Sequence, residues 1–374
     1  MSGRRSRTRH SALQVAEPSR TAQSPSERYF AEFRGAFDRA ASRAGGAVEH
    51  RLTVGDRSIR LLFAGAELEP IMLPPLRHLA GEPGPADATI CVWDSASTGV
   101  QVPSFTWRPG DIRQRGEVAG YNDDRFATIY HGDLLAADPG LEALSMFDAD
   151  ESCAVFWVSS LDRVHWWERA EPLRPSLHWT LAGPGRHLAH AAAVGDETGA
   201  VLLVGRGGSG KTTTTLASVE AGLLFVGDNY LLLSLDGQPT AHSIYSNIKV
   251  TPDTLRLLPS VRSAVKTFDV EEGEKLIVDM QSHRPDLLAR ELPVRALIVP
   301  QVVGSGPTRL VPTSPVAGLL ALAPTTVYQL PRNGAVLSPL ADFARRVPSY
   351  RLELGGDVEA GPRVIAEFLA TGAA

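Results

Sequence analysis

The sequence predicts an α/β fold that is preceded by a smaller α+β domain. Two observations support this prediction. From about residue 187 onward, apolar strand-like runs alternate with segments of helical character, which is typical of α/β proteins. From about residue 48 to 170, short strand-like runs such as Arg60 to Ala64 and Thr89 to Asp94 are interrupted by Pro, Gly and Asp, which favours an α+β arrangement.

The chain before the first strand divides into two parts. Residues 1–27 are rich in Ser, Arg and Pro, and we expect them to be disordered. Residues 28–40 are predicted to form a helix, because Phe30, Phe33 and Phe37 recur at helical spacing. The smaller α+β domain is therefore predicted to span residues 28–170, with a role in substrate recognition or assembly.

The second domain is predicted to span residues 171–374. Residues 172–184 contain the short apolar run Leu177 to Leu181, and we interpret them as a connecting segment. Val294 to Val299 is an uninterrupted apolar run and is predicted to be a buried strand. Val364 to Leu369 is predicted to belong to a closing helix.

The most specific motif follows the apolar run Val201 to Val204. Residues 205–212 have the sequence Gly-Arg-Gly-Gly-Ser-Gly-Lys-Thr, which matches the P-loop pattern G-x-x-x-x-G-K-T. In this pattern backbone N–H groups surround a triphosphate, the lysine reaches the outer phosphates, and the threonine hydroxyl coordinates Mg²⁺. The alternative is a glycine-rich turn with an incidental lysine. The candidate nucleotide-binding residues are Gly205, Gly207, Gly208, Ser209, Gly210, Lys211, Thr212 and Thr213.

The use of lysine in this chain supports the motif. Of 37 Lys and Arg residues only four are lysines, and all four lie between residues 211 and 275. Because the composition favours arginine, we expect a retained lysine where a compact ammonium group is needed. Lys249 and Lys275 are therefore candidates for contact with phosphate or substrate, whereas Lys266 is interpreted as a solvated surface residue.

A carboxylate follows the P-loop at an unusually short distance along the chain. Residues 213–221 are predicted to form a helix that ends at Gly222. The strand-like run Leu223 to Val226 then leads to Asp228, 17 residues after Lys211. An acid at the end of a strand beside a P-loop can hold Mg²⁺ or accept a proton from a nucleophile.

This arrangement resembles the HPr kinase/phosphorylase family, and more closely the HPr-kinase-like serine kinases. The resemblance covers roughly residues 175–374. It depends on two spacings, because Gly222 lies eleven residues after Lys211 and Asp228 lies seventeen residues after Lys211. It implies a P-loop kinase core of the HPr kinase C-terminal type. It also implies that Asp228 is the base toward the acceptor hydroxyl and a ligand of the metal.

Three further segments are similar to segments of that family. The run His190 to Val194 resembles the family's strand that precedes the P-loop strand. Residues 249–253 and residues 273–275 are similar to two later segments of the family. The resemblance places His190 near the acid and the phosphates, where it could orient the carboxylate. The alternative is a hydrogen-bonded core histidine in an apolar strand.

The chain departs from the family at one position of the site. The family has two adjacent acids where this chain has Asp228-Asn229, and the second acid helps to hold the metal. Asparagine is neutral, so Asn229 is expected to be a weaker Mg²⁺ ligand than a carboxylate. The glycine-rich signature associated with the phosphorylase activity is also not found at residues 244–248.

Composition limits the class of protein. The net charge of −5 argues against a nucleic-acid-binding protein. The two cysteines, Cys91 and Cys153, form no metal-binding spacing and no disulfide framework, which suits a reducing compartment. No apolar run reaches the length of a membrane span, and no secretion signal follows the N-terminal arginines. We therefore expect a cytoplasmic protein without a membrane partner.

Together these features predict an ATP- and Mg²⁺-dependent kinase that phosphorylates a hydroxyl, with a serine of a protein or peptide as the acceptor implied by the resemblance. Thr212, Asp228 and Asn229 are the candidate metal ligands. Two alternatives stay open: a small-molecule kinase on the same core, and a non-catalytic nucleotide-binding regulator. The sequence leaves homo-oligomerisation open.

Overall fold

The computed structural model describes residues 23–132, 142–266, 275–329 and 337–372. The predicted disordered tail therefore falls mainly on residues 1–22, outside the described residues. Residues 273 and 274 of the segment that ends at Lys275 also lie outside them.

The first part of the chain folds around one six-stranded sheet. Its elements are α1 (Pro25–Arg43), β1 (Ala47–Val54), β2 (Arg57–Ala64), α2 (Glu69–Met72), β3 (Ala88–Asp94), α3 (Ser95–Thr98), β4 (Phe126–His131), β5 (Ala143–Asp148) and β6 (Cys153–Val158). The strand order is β1-β2-β3-β6-β5-β4. The pairs β2/β3 and β3/β6 are parallel and the other three pairs are antiparallel.

Helix α1 covers one face of this sheet. Phe30, Phe33 and Phe37 are all buried, as their spacing predicts, and the Phe33 ring lies 4.9 Å from the Trp93 ring of β3. The helix begins at Pro25, because the Ser24 side chain caps it by accepting a hydrogen bond from the Glu27 backbone N–H at 3.1 Å. Residues 25–27, which the sequence interpretation placed in the disordered tail, are therefore helical.

Two helices follow the first sheet: α4 (Trp166–Ala170) and α5 (Arg174–Leu181). Residues 172–184, which the sequence interpretation treated as a connecting segment, therefore contain the helix α5. Leu177 and Leu181 of α5 are fully buried in the same core as Leu188 and Tyr230, which come from the later part of the chain. The apolar run in this segment forms a helix because it has two surfaces to pack against, the first sheet and the strand Arg186–His190.

The remaining elements form two further sheets with helices around them. They are β7 (Arg186–His190), β8 (Ala192–Asp196), β9 (Gly199–Leu203), α6 (Lys211–Glu220), β10 (Leu224–Gly227), β11 (Tyr230–Ser234), β12 (Thr240–Ser243), β13 (Asn247–Val250), α7 (Pro252–Leu257), β14 (Val265–Lys266), β15 (Leu276–Asp279), α8 (Met280–His283), β16 (Glu291–Val302), β17 (Arg309–Thr313), α9 (Pro315–Gln329), α10 (Leu337–Arg346), β18 (Ser349–Leu354) and α11 (Ala360–Thr371). The larger sheet has the path β10-β8-β9-β16-β12-β11-β7, and β18 pairs with β16 and β17. The smaller sheet has the order β13-β15-β14.

The fold is thus mixed α/β, but strands and helices do not alternate regularly after residue 187. β7, β8 and β9 follow one another without a helix between them, and so do β10 to β13. Most of these strands pair antiparallel, and an antiparallel neighbour needs only a tight turn rather than a crossover helix. The predicted strand His190 to Val194 is divided between β7 and β8, because the two strands pair with different partners. β7 pairs with β11, whereas β8 pairs with β9 and β10.

Candidate functional site

The P-loop motif joins a buried strand to a helix. β9 is buried at every residue and pairs antiparallel with β8 and parallel with β16. The glycine-rich loop follows β9, and α6 begins at Lys211 with Gly210 as its N-cap. Gly210 has φ +100°, and a Cβ there would lie 2.9 Å from the Leu354 Cδ1 atom, so only glycine fits this position without strain. Strand, loop and helix therefore lie as the pattern predicts.

A cleft of about 560 Å³ opens beside the start of α6. Its volume is in the range of sites that hold small-molecule ligands. Most of the predicted site residues lie along its wall, and several lining residues were not predicted. The predicted residues in the wall are His190, Gly207, Gly208, Gly210, Lys211, Thr212, Thr213, Asn229, Lys249 and Lys275. The residues that sequence reasoning missed are Tyr230, Thr251, Asp253, Thr254, Leu257 and Val302.

Three predicted residues lie behind the wall. Gly205 contributes its carbonyl oxygen, which accepts a hydrogen bond from Lys211 Nζ at 2.6 Å. Ser209 has a buried hydroxyl without a hydrogen-bond partner among the described residues. Asp228 is only 1 % exposed. These positions shape and support the loop and contribute less to the surface that a ligand would touch.

Lys211 is held in the loop that precedes it. Its Nζ donates to the carbonyl oxygens of Gly205 and Arg206, at 2.6 and 3.2 Å, and only 7 % of the residue is exposed. Burial lowers the pKa of Lys211, and the nearby Asp228 carboxylate opposes this shift. The ammonium group thus lies at the N-terminus of α6, where the helix dipole also favours an anion.

The acid and the P-loop threonine form a pair. Thr212 Oγ1 donates to Asp228 Oδ2 at 2.9 Å, and the other carboxylate oxygen, Oδ1, has no hydrogen-bond partner among the described residues. Burial raises the pKa of Asp228, although the bond from Thr212 and the charge of Lys211 act against it. Thr212 therefore lines the cleft while its hydroxyl is bonded to the buried carboxylate of Asp228.

This pair fits a Mg²⁺ ion that is held partly by a ligand. Within the described ranges, no group of three or more His, Cys, Asp or Glu side chains suits a metal ion. Mg²⁺ typically keeps several waters and binds through one or two carboxylates together with substrate phosphates. Thr212 lines the cleft, and its hydroxyl oxygen keeps lone pairs for such an ion while it donates to Asp228 Oδ2.

Asn229 occupies the tight turn between β10 and β11 with φ +70°. Its Nδ2 donates to Glu171 Oε1 at 2.9 Å. The same carboxylate accepts from Lys249 Nζ through Oε2 at 2.7 Å. Glu171 is 3 % exposed and directly follows α4. It belongs to no motif and precedes Lys211 by 40 residues, so no sequence signal identified it.

The three candidate lysines are brought to one cleft by helix α6, which begins at Lys211, and by the smaller sheet. Lys249 lies on β13, and Lys275 directly precedes β15, which pairs antiparallel with β13. Both line the cleft together with Lys211. Lys266 does not line it and instead forms an ion pair with Asp279 at 2.7 Å. The cleft is therefore rich in compact cationic groups, as the lysine distribution suggested.

His190 lies at the end of β7 opposite Tyr230 of β11, with 5.5 Å between the ring centroids. Burial lowers the pKa of His190 to about 3, and the charges of Lys211, Lys249 and other nearby cations lower it further in the same direction. The imidazole is therefore neutral near pH 7. Its Nδ1 has no hydrogen-bond partner among the described residues, although the ring lines the cleft.

Arg174, from α5, also reaches this region. It donates to the Tyr230 hydroxyl at 2.8 Å, and its guanidinium lies over the Tyr230 ring at 5.1 Å from the centroid. Burial acts to lower the pKa of Arg174, but Tyr230 and then Glu171 and other neighbours raise it above its ordinary value, so it carries a fixed charge. The segment after the first sheet thus contributes one acidic side chain, Glu171, and one cationic side chain, Arg174, to the surroundings of the cleft.

The class defined by these features is a mixed α/β protein with a strand–loop–helix P-loop motif at a cationic cleft. No helix in the described parts of the chain is long and apolar enough to cross a membrane. No family model matches the chain, and no curated protein matches it. Among solved structures, it is similar to the HPr(Ser) kinase/phosphatase from Coxiella burnetii, with 14 % identity and a TM-score of 0.25, over 50 % of this chain and 95 % of that one. A TM-score of this size carries no argument, so the family remains a resemblance between motifs.

Proposed function

We propose that the chain is an ATP- and Mg²⁺-dependent kinase that transfers a phosphoryl group to a hydroxyl, with a serine of a protein or peptide as the acceptor. The observation that supports this proposal is the convergence of the P-loop, three lysines and the Thr212–Asp228 pair on one cleft. The choice of a protein acceptor rests on the resemblance to HPr-kinase-like serine kinases alone.

In this proposal the P-loop binds the nucleotide. The backbone N–H groups of Gly208 and Gly210 and those at the start of α6 donate to the phosphates. Lys211 exchanges its bonds to the loop carbonyls for bonds to the outer phosphates, which are better acceptors because they are charged. Lys249 and Lys275 neutralise charge on the group that is transferred.

Thr212, Asp228 and more weakly Asn229 would hold Mg²⁺ in this proposal. The ion, when bound, neutralises charge that develops on the phosphates. Thr212 lines the cleft and would supply the lone pairs of its hydroxyl oxygen, while the Asp228 carboxylate orients that hydroxyl. Asn229 could coordinate the ion only through Oδ1, because its Nδ2 is a hydrogen-bond donor and is bonded to Glu171.

Asp228 is also the proposed base. Its pKa is raised by burial, which makes the carboxylate a better proton acceptor than an exposed aspartate. Oδ1, the carboxylate oxygen without a partner among the described residues, would take the proton of the acceptor hydroxyl. Neutral His190 adds no positive charge that would compete with the lysines for the phosphates.

A second candidate function is a non-catalytic nucleotide-binding regulator. One observation favours it: Asp228 lies behind the wall of the cleft and is 1 % exposed, so an acceptor hydroxyl has no direct approach to it. Under this proposal the cleft binds nucleotide and the Thr212–Asp228 bond serves only to hold the loop.

The test is to measure ATP affinity by calorimetry with and without Mg²⁺, and then the transfer of labelled phosphate. Seryl peptides and a panel of small hydroxyl compounds serve as acceptors in parallel. Transfer to peptides supports the proposed kinase, and transfer to small compounds alone supports a small-molecule kinase. Binding without any turnover supports the regulator, and no binding at millimolar ATP refutes all three.

A further inference from the structure

We propose that Glu171 is a positioning residue of the nucleotide cleft. Its carboxylate holds the side chains of Lys249 and Asn229 so that their remaining polar atoms face the phosphates. The proposal rests on the proposed function, because it assigns Glu171 a role within that site. Glu171 belongs to the segment between the first sheet and the P-loop region, and no motif includes it.

The contacts of Glu171 divide its carboxylate between the two cleft residues. Oε2 lies 2.7 Å from Lys249 Nζ, and Oε1 lies 2.9 Å from Asn229 Nδ2. Both partners line the cleft, whereas Glu171 itself is 3 % exposed and lies behind them. A carboxylate this deeply buried is unfavourable unless it is paired and hydrogen-bonded, and these two bonds satisfy that condition.

These bonds determine which atoms each partner can present to a ligand. A lysine ammonium has three donors, and one of those of Lys249 is used by Glu171. Lys249 also lies 5.8 Å from the centroid of the Trp166 ring, and only 13 % of its side chain is exposed. The amide nitrogen of Asn229 is likewise committed to Glu171. Removing the carboxylate would free both side chains to rotate away from the phosphates.

The backbone beside Glu171 is unusual. Leu173, two residues after Glu171, has φ +57°. A left-handed conformation is disfavoured for a bulky residue such as leucine and persists where the surroundings enforce it, whereas it is common for an asparagine in a turn such as Asn229. The turn that carries Glu171 is held by Glu168, whose carboxylate accepts from the Leu173 backbone N–H at 2.6 Å. The position of Glu171 is therefore set by its own segment.

Charge alone would predict the opposite effect of losing Glu171. Three lysines and Arg174 face Glu171 and Asp228 across this region, so removing one acid makes the cleft more cationic. Simple electrostatics then predicts tighter ATP binding and no slower turnover. Positioning predicts slower turnover, because Lys249 no longer lies where the transferred phosphoryl group develops charge.

The main variant is Glu171→Gln, and the matched control is Asp148→Asn. Asp148 is a buried carboxylate of β5 that pairs with Arg125 at 2.7 Å and lines no part of the cleft. The measurements are the melting temperature, the ATP affinity with EDTA and with Mg²⁺, and the kcat and KM of phosphate release from ATP. For Glu171→Gln we expect kcat to fall about 10²-fold, the loss caused by a misplacement of about 1 Å, with ATP affinity in EDTA unchanged or higher.

A reciprocal exchange separates positioning from general destabilisation. Glu171→Gln/Asn229→Asp keeps one negative charge and one hydrogen bond between the two positions but reverses donor and acceptor. We expect kcat of this double variant to be at least about tenfold higher than that of Glu171→Gln, because the effects of substitutions at residues in contact are not additive. Asn229→Asp alone places two carboxylates together and is expected to lower the melting temperature.

The outcomes distinguish this proposal from the proposed function. If wild-type protein turns over ATP and folded Glu171→Gln has the kcat of wild type and of Asp148→Asn, the positioning role is refuted while the kinase proposal stands. If wild-type protein neither binds nor turns over ATP, the proposed function fails, and this proposal fails with it. If Glu171→Gln does not fold, the double variant decides: regained folding with turnover supports the proposal, whereas regained folding without turnover, or no folding, refutes it.

Discussion

Replacing Lys211 with alanine is expected to reduce ATP turnover by about three orders of magnitude while the fold is retained. A unit charge placed 4 Å from a phosphate charge contributes about 4 kcal/mol at the effective dielectric constant of a protein surface. Each 1.36 kcal/mol of lost transition-state stabilisation corresponds to about tenfold in rate. Lys211 is suited to this role because its Nζ lies at the N-terminus of α6, within the loop that would surround the phosphates.

The fold should tolerate the change. Lys211 donates to two carbonyl oxygens, at 2.6 and 3.2 Å, and both belong to the loop beside the cleft, where water can replace the ammonium group. Burial already lowers the pKa of Lys211, so the charged form gains little from its surroundings. We therefore expect the free energy of unfolding to fall by less than about 2 kcal/mol.

The assay combines ATP turnover, ATP affinity by calorimetry, and denaturant unfolding followed by circular dichroism. The matched control is Lys266→Ala, which removes the one lysine that does not line the cleft and breaks its ion pair with Asp279. A folded Lys211→Ala protein with wild-type turnover and affinity would refute the P-loop assignment. An equal loss in both variants would show that the effect is not specific to the cleft.

Three further predictions follow from the site. Asp228→Asn should keep ATP affinity within a few-fold but lower transfer by about 10²–10⁴-fold, since an amide cannot accept the acceptor proton; normal transfer of labelled phosphate would show that Asp228 is structural. Asn229→Asp should lower the free energy of unfolding by about 1–3 kcal/mol and leave the Mg²⁺ requirement unimproved, because the new carboxylate faces Glu171 at a 2.9 Å contact. A Mg²⁺ titration that shows a lower requirement would contradict this. The pKa of His190 is about 3 in the folded protein against 6.5 without burial, so the unfolded state binds more protons between these values, and stability falls as pH drops. Between pH 7 and pH 5, the free energy of unfolding of His190→Gln should therefore fall by about 2 kcal/mol less than that of wild type, as measured by urea unfolding. Equal losses in the two proteins would contradict the neutral, buried state of His190.

Several elements could be predicted because their signals are local. The apolar run at 201–204, the glycines and the helix that starts at Lys211 lie next to one another in the chain, and the structure has β9, the loop and α6 in that order. The phenylalanines of α1 are buried as their spacing predicts. The start of α1 was placed three residues late, because a cap at Ser24 depends on one side-chain bond rather than on periodicity.

Strand pairing could not be predicted in the same way. Apolar runs indicate strands, but they do not show whether the next strand is reached through a tight turn or through a helix. The run His190 to Val194 is continuous in sequence, yet the structure divides it, because β7 pairs with β11 while β8 pairs with β9 and β10. The helix α5 was missed because its apolar residues are explained only by the two surfaces that they touch.

The sequence by itself determined the P-loop motif, its single lysine and the short spacing to Asp228, because these features depend on residues close together in the chain. Only the tertiary structure decided where the acid lies and what it contacts. The buried position of Asp228 behind Thr212 depends on how β10 and α6 pack. The pairing of Glu171 with Asn229 and Lys249 joins residues that are 58 and 78 positions apart. Such contacts form only when three separate segments are packed together, and no local pattern of residues records them.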